Sequence, residues 1–287
     1  MFWERVSNGW ELAKSSLAVL GQNKKLLLFP LLSGIACLLV LASFGVGLYG
    51  SDYAALLAED DAAAESAIAH DPVAWAILFA FYFCNYFVIV FFNAALIACA
   101  IKSFRGEVPT LADGFAAAVA RLPAILAWAL VAATVGVVLQ VIRSRSKRVG
   151  QIVAGLLGAA WSVATFFVVP VIVMERGGPL QAVKRSVFLL RQSWGETLVS
   201  NFGLGLVIFL AGLLATLPAI IGVLLGNVLF LIGGIALTVL LWIGLALVSS
   251  AANTILVGAL YDYATDGRSP MQFERGRFEQ AFVPNAK

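Results

Sequence analysis

Six stretches of this chain are long, apolar and free of aspartate, glutamate, lysine and arginine: residues 26–49, 74–101, 123–142, 152–174, 202–225 and 228–260. A helix of about 20 apolar residues crosses the ~30 Å hydrocarbon core of a bilayer. A chain in that core must satisfy its backbone hydrogen bonds internally, so runs of this length become helices. The sequence therefore reads as an all-α polytopic membrane protein with six transmembrane helices. Pro218 predicts a kink or break in the fifth run. The sixth exceeds what a straight crossing needs, so it should tilt or run on past the interface. Composition agrees: 61% of the 287 residues are hydrophobic and 12% charged, against about 25% charged in soluble domains. A cleaved signal peptide is not expected. The first apolar run starts at Leu26, behind an amphipathic segment, and is too long for a signal-peptide core.

Every charge falls between the runs, and their distribution orients the chain. With the N-terminus inside, the inner segments hold 15 basic residues and the outer ones 4. Lysine and arginine collect on the cytoplasmic side, so both termini are expected to be cytoplasmic. The exception is the RSRSKR run at 143–148, which this count places outside. A second topology folds 123–142 and 152–174 back as re-entrant segments and brings all 19 basic residues inside. Full-length apolar runs favour the crossing topology. Loop 50–73 lies on the same expected side as RSRSKR. It carries Asp52, Glu59, Asp60, Asp61, Glu65 and Asp71 and no basic residue. Arg143, Arg145, Lys147 and Arg148 can pair with these carboxylates or grip outer-leaflet phosphates.

Three amphipathic segments precede crossings. In 2–20, Trp3, Val6, Trp10, Ala13, Leu17 and Leu20 recur every three or four residues, with polar residues between them. In 110–121 the pattern is Leu111, Phe115, Val119 and Leu122, starting after Pro109 and Thr110. In 180–194 it is Leu180, Val183, Val187, Leu190 and Trp194, with Lys184, Arg185 and Arg191 on the polar face and Gly177-Gly178-Pro179 at the start. All three fall on the expected cytoplasmic side. They read as three copies of one unit, an interfacial helix followed by a transmembrane hairpin. Such helices lie in the interface with aromatics down and basic groups toward anionic headgroups; they also serve as plain connectors packed on a bundle. The candidate lipid-headgroup contacts are Lys184, Arg185, Arg191 and Trp194, together with Arg143, Arg145, Lys147 and Arg148 of the outer run. One transmembrane domain is expected over 1–287, built of units 1–101, 102–174 and 175–262 with a cytoplasmic tail at 263–287.

The stretch TFFVVPVIVMERGGPLQAVKRSVFLLRQSWGE, residues 165–196, has a distinctive order. An apolar crossing ends in a proline and a lone Glu175; a glycine turn follows, then a P-L-x-A-x-x-R-S helix closing on Trp194. With WELAKSSLAVL near the N-terminus and ALYDYATDG at 259–267, it resembles a family of uncharacterised bacterial polytopic membrane proteins. That family in turn resembles the membrane domain attached to some glycerophosphodiester phosphodiesterases. The resemblance covers nearly the whole chain. It implies a six-helix domain of the bacterial inner membrane and no activity, since the phosphodiesterase catalytic domain has no counterpart here.

The residues themselves offer little chemistry. No metalloprotease, nucleophile-elbow, phosphate-loop or dinucleotide motif is present, and the chain reads as non-enzymatic, with no cofactor. His70 is the single histidine; beside loop carboxylates it makes at most a weak metal site, and no metal is expected. Cys37, Cys84 and Cys99 sit inside apolar runs as small packing residues. A net charge of +3 gives no reason to expect a nucleic-acid partner. Ion-coupled transport usually needs ionisable groups at membrane depth, and the runs have none. Asn85, Asn93 and Asn253 read as interhelical polar contacts, with an uncharged pore as the alternative. Gly150, Ala154 and Gly158, with Gly233-Gly234 and Gly244, mark close helix contacts, either internal or in a homo-oligomer. Two functions stay open: a lipid-contacting or membrane-organising protein whose partners are membrane phospholipids, and a passive channel or lipid or small-solute transporter.

Overall fold

The computed structural model describes residues 14–51, 71–145, 149–175, 177–192 and 196–266. Among them all regular structure is helical. Residues 14–22 are helical, and a 3-10 turn, Lys24–Leu27, leads into α1, Leu28–Tyr49. Then come α2, Pro72–Phe104; α3, Leu111–Ala120; α4, Leu122–Arg145; and α5, Val149–Ala164. They are followed by α6, Val168–Met174; α7, Pro179–Gln192; α8, Glu196–Ala215; α9, Leu217–Leu224; and α10, Val228–Asp266.

Helix boundaries follow local chemistry. Pro72 opens α2, with the Asp71 carboxylate accepting from the Val73 N–H at 2.8 Å, so aspartate caps and proline leads. Thr110 and Asp113 form a reciprocal capping box on α3. The Asp113 N–H donates to the Thr110 hydroxyl, and the Thr110 N–H donates to the Asp113 carboxylate. Pro179 opens α7 after the glycine pair, as its spacing predicts. Gly226, at φ +64°, ends the turn after α9, and Asn227 caps α10 by accepting from the Leu229 N–H.

Among the described residues, six helical spans are long and apolar enough to cross a membrane: Lys24–Tyr49, Pro72–Phe104, Leu122–Ser144, Val149–Met174, Val207–Leu224 and Val228–Asp266. They coincide with the six runs of the sequence. The fifth is broken at Thr216, where Pro218 predicts it. The fourth is also broken, at Thr165–Phe167, between α5 and α6. The sequence reading took it as continuous. Pro170 accounts for the difference, because it has no N–H to give the Phe166 carbonyl. Large apolar side chains lie outside on these spans, among them Leu38, Leu39, Leu229, Leu240 and Ile243. Soluble monomers rarely expose apolar surface on this scale. The protein is a multi-pass membrane protein.

The chain forms two compact units that interleave along the sequence. One takes in 1–31, 96–114 and 188–287. Its core is the last third of α10, where Ala251, Ala252, Ile255, Leu256, Ala259 and Leu260 are buried, with Val19, Leu26, Phe29, Ile97 and Phe104 of the earlier segments. Gly258 packs against Ile97 and Phe104, and Leu17 packs on Ala252. In the same unit, α9 lies flat on the start of α10. A Cβ on Gly222 or Gly234 would run into the backbone of Phe230 or Pro218.

The other unit takes in 32–95 and 115–187. Its α4–α5 hairpin closes through Gly150, where a Cβ would meet the Ile142 carbonyl, and Gly158, beside Leu139. Ala154 is buried, and Trp128 stacks on Trp161 with centroids 5.7 Å apart. The small residues at 150, 154 and 158 therefore serve this hairpin. Gly233 and Gly244 meet nothing within 4 Å.

Candidate functional site

The most distinctive stretch of the sequence, 165–187, builds one joint between a broken crossing and an amphipathic helix. The joint begins with geometry that proline imposes. At the break, the Thr165 N–H still bonds the Trp161 carbonyl, and the Val168 N–H reaches only as far as Thr165. The Phe167 N–H donates instead to the Ser186 hydroxyl of α7, at 3.0 Å and fully buried. A buried N–H without an acceptor costs about 1–3 kcal/mol, so the serine is what lets the helix break inside protein. Ala182 and Ser186, one turn apart, are both fully buried: small residues let α7 approach the break closely.

Two arginines finish the joint. Arg121, in the corner between α3 and α4, donates from Nε to the Val173 carbonyl at 3.2 Å, satisfying the last turn of α6. Arg185 donates from Nε to Glu175 at 3.0 Å. Proline, alanine, arginine and serine of the P-L-x-A-x-x-R-S pattern thus open α7, let it approach, pair with Glu175 and cap Phe167.

This geometry sorts the candidate headgroup contacts. Lys184 and Arg191 are exposed on α7, while Arg185 is engaged with Glu175. Leu180 and Phe188 are 70% and 51% exposed, so α7 turns apolar as well as basic groups outward. Arg143 is exposed near the end of α4. The Arg145 side chain, Lys147, Arg148 and Trp194 lie outside the described residues, as do residues 52–70 with His70. The expected pairing of RSRSKR with the acidic loop therefore falls outside them too.

The corner between α2 and α3 carries a second polar group. Lys102 bonds Asp113 at 2.9 Å and lies 3.9 Å from Glu107. The Asp113 carboxyl is held well below the usual carboxylate range, first by the Thr110 hydroxyl, then by Lys102 and the Thr110 N–H. These bonds close the turn at Gly106, φ 80°. Among the described residues no three histidine, cysteine, aspartate or glutamate side chains gather as metal ligands.

Of the candidate interhelical residues, Asn85 donates to the Phe81 carbonyl of its own helix at 2.9 Å. Asn93 is half-buried and Asn253 exposed. Sequence reasoning passed over Ser186 and the tyrosines of α2. Pro170 in the fourth run was the available signal for the first.

A model of a family of unknown function, DUF6159, matches residues 72–271. The chain belongs to this family. The DUF6159 match begins at the proline that opens α2 and takes in the second to sixth crossings, including the whole joint at 165–187. No curated protein matches the chain.

Proposed function

We propose that this DUF6159 member is a non-enzymatic, lipid-contacting protein of the bacterial inner membrane that organises the bilayer around it. The carrying observation is α7. Its Ala182–Ser186 face is anchored to a broken crossing, while Lys184 and Arg191 are turned outward beside exposed Leu180 and Phe188. A helix with that division of faces rests in the membrane interface, apolar residues in the acyl boundary and cations at phosphates. Helical segments 14–22 and 111–120 belong to the same design, with both termini cytoplasmic by the charge count.

The test replaces Lys184 and Arg191 with glutamine and follows retention of anionic lipid by native mass spectrometry. Each charge should weaken association by up to about 1 kcal/mol. Unchanged retention would reduce this face to a solvated connector. Impermeant labelling of single cysteines at Ser51 and Ala286 tests the orientation: the first should react from outside and the second should be protected.

A passive channel or a lipid or small-solute transporter is the second reading, favoured by two crossings broken at membrane depth. Irregular backbone there is tolerated where it is buried or lines a cavity. A liposome flux and scramblase assay on the purified protein separates the two.

A further inference from the structure

α2 carries polar groups at two depths. Tyr82 and Tyr86, stacked with ring centroids 6.1 Å apart, lie within its apolar span. The second group stands at its end, where α2 meets the start of the first crossing, and all of it belongs to the unit formed by 1–31, 96–114 and 188–287.

A single side-chain bond marks that meeting. The Asn23 amide donates from Nδ2 to the Ser103 hydroxyl at 3.2 Å, so it is spent across the fold and does not cap the Lys24–Leu27 turn. Both segments are fixed around this bond. Leu26 and Phe29 are buried on one side, Ile101 and Phe104 on the other. α2 ends in a Schellman turn: the Gly106 N–H bonds the Ser103 carbonyl, the Glu107 N–H bonds the Lys102 carbonyl, and Gly106 takes φ 80°.

Three cations surround it. Lys24 and Lys25 directly follow Asn23, and Arg105 stands two residues beyond Ser103. All three are exposed, and among the described residues none has a carboxylate partner. The acids of this corner, Asp113 and Glu107, are both drawn to Lys102. Helix dipoles do not account for the three. Lys24 and Lys25 sit at the start of a crossing, where the dipole favours anions, and the last carbonyls of α2 are already met by its own turn.

Their depth is set by α1. With 22 residues it is about 33 Å long, little more than the ~30 Å of hydrocarbon it must cross. Its start therefore lies at the hydrocarbon edge, and Lys24 and Lys25, one turn earlier, fall among the headgroups. The Asn23–Ser103 bond holds the end of α2, with Arg105, at the same level. Leu28 and Leu31, 38% and 37% exposed, follow the lysines into the hydrocarbon one turn apart.

We infer that Lys24, Lys25 and Arg105 hold the phosphate of one anionic phospholipid, whose acyl chains lie on Leu28 and Leu31. Head and tails then keep the polarity of the leaflet, with cations at phosphate depth and leucines below. A zwitterionic headgroup brings its own cation to its phosphate; a net anion suits three cations that lack a carboxylate. The site uses no residue of α7 and survives the failure of the α7 reading.

The test uses the full-length protein in phosphatidylcholine nanodiscs with a trace of photoactivatable, clickable probe, either phosphatidylglycerol or phosphatidylcholine of the same chains. The phosphatidylglycerol probe should label the peptide containing Leu28 and Leu31 about fivefold or more above the phosphatidylcholine probe. Glutamine at Lys24, Lys25 or Arg105 should each lower that labelling by up to about fivefold. Lys14→Gln, an exposed cation of the same segment away from the bond, should leave it unchanged, as should Lys184→Gln with Arg191→Gln. Four outcomes overturn the proposal. Equal labelling by both probes removes the preference for an anion. Equal losses from Lys14→Gln and Lys25→Gln reduce the site to a diffuse field. Full labelling in the variant combining Lys24→Gln, Lys25→Gln and Arg105→Gln removes the cations from it. Displacement of the probe by inorganic phosphate makes the ligand a free anion instead of a lipid.

Discussion

The fourth and fifth crossings are both interrupted, and both repairs use the same chemistry in opposite surroundings. In the fourth, the Phe167 N–H finds the Ser186 hydroxyl in fully buried protein. In the fifth, the Ala219 N–H finds the Thr238 hydroxyl at 3.1 Å, on a hairpin whose Leu217, Ile220 and Ile221 are about half exposed. Proline is responsible each time, three residues after the first interruption and two after the second. What differs is who supplies the hydroxyl. An amphipathic helix supplies it at the fourth crossing, so the interruption is tied to a surface element. The neighbouring crossing supplies it at the fifth, so the interruption is a matter for the hairpin alone. A break in a membrane helix is thus defined by its acceptor as much as by its proline.

The comparison can be broken at several points. Gly234→Leu should do most damage, because its Cβ meets the Pro218 backbone, which cannot swing aside. Overpacking of this kind costs about 3 kcal/mol at its upper end, and a detergent unfolding midpoint will register it. Ser186→Ala comes next, at about 1–3 kcal/mol for a buried N–H left without an acceptor. The same change should speed hydrogen exchange at the Phe167 amide. Thr238→Val keeps the shape and loses the acceptor; interhelical hydrogen bonds in bilayers average about 0.6 kcal/mol, so its effect should be smaller than that of Ser186→Ala. Equal losses at the two positions would show that burial is not what separates them.

The mildest perturbation is protonation. Asp113 has a depressed pKa in the folded state, so its contribution is complete above the ordinary aspartate value of about 3.9. It is lost as pH falls through the lower folded value. Neither hydroxyl repair titrates. Acid should therefore loosen the start of α3 while leaving Phe167 and Ala219 protected, and Asp113→Asn should remove that acid limb. Exchange followed at the Thr110 amide from neutral pH down through the depressed Asp113 value tests the contrast.

The crossings were legible because charge is so costly in hydrocarbon that its absence over 20 residues has one reading. Capping at Thr110, the turn before Pro179 and the break near Pro218 were legible from residue chemistry along the chain. The break at 165–167 was not, although Pro170 was in view: a proline near the end of a run usually marks a boundary, and here the acceptor that permits an interior break lies 19 residues on, at Ser186. Arg185 was read as a headgroup contact on helical spacing alone, which cannot show that Glu175 holds it. The tyrosines of α2 were absorbed into an apolar run, because hydropathy counts their rings and not their hydroxyls.

The last third of α10 is the core of its unit, and the segment that rests on it, residues 14–31, is made well before it. Leu17 is placed against Ala252, and the Lys24–Leu27 turn contacts α10. About 230 residues separate those partners, which at 5–20 residues per second is a wait of roughly 10–50 s. Through that interval the ribosome, insertion machinery and quality-control proteases meet a nascent chain whose 14–31 segment can reach the end of α2, where Asn23 bonds Ser103, but not the helix that covers Leu17. Assembly of this unit is thus timed by α10, and a chain that stops short of it leaves residues 14–31 without the helix they pack on.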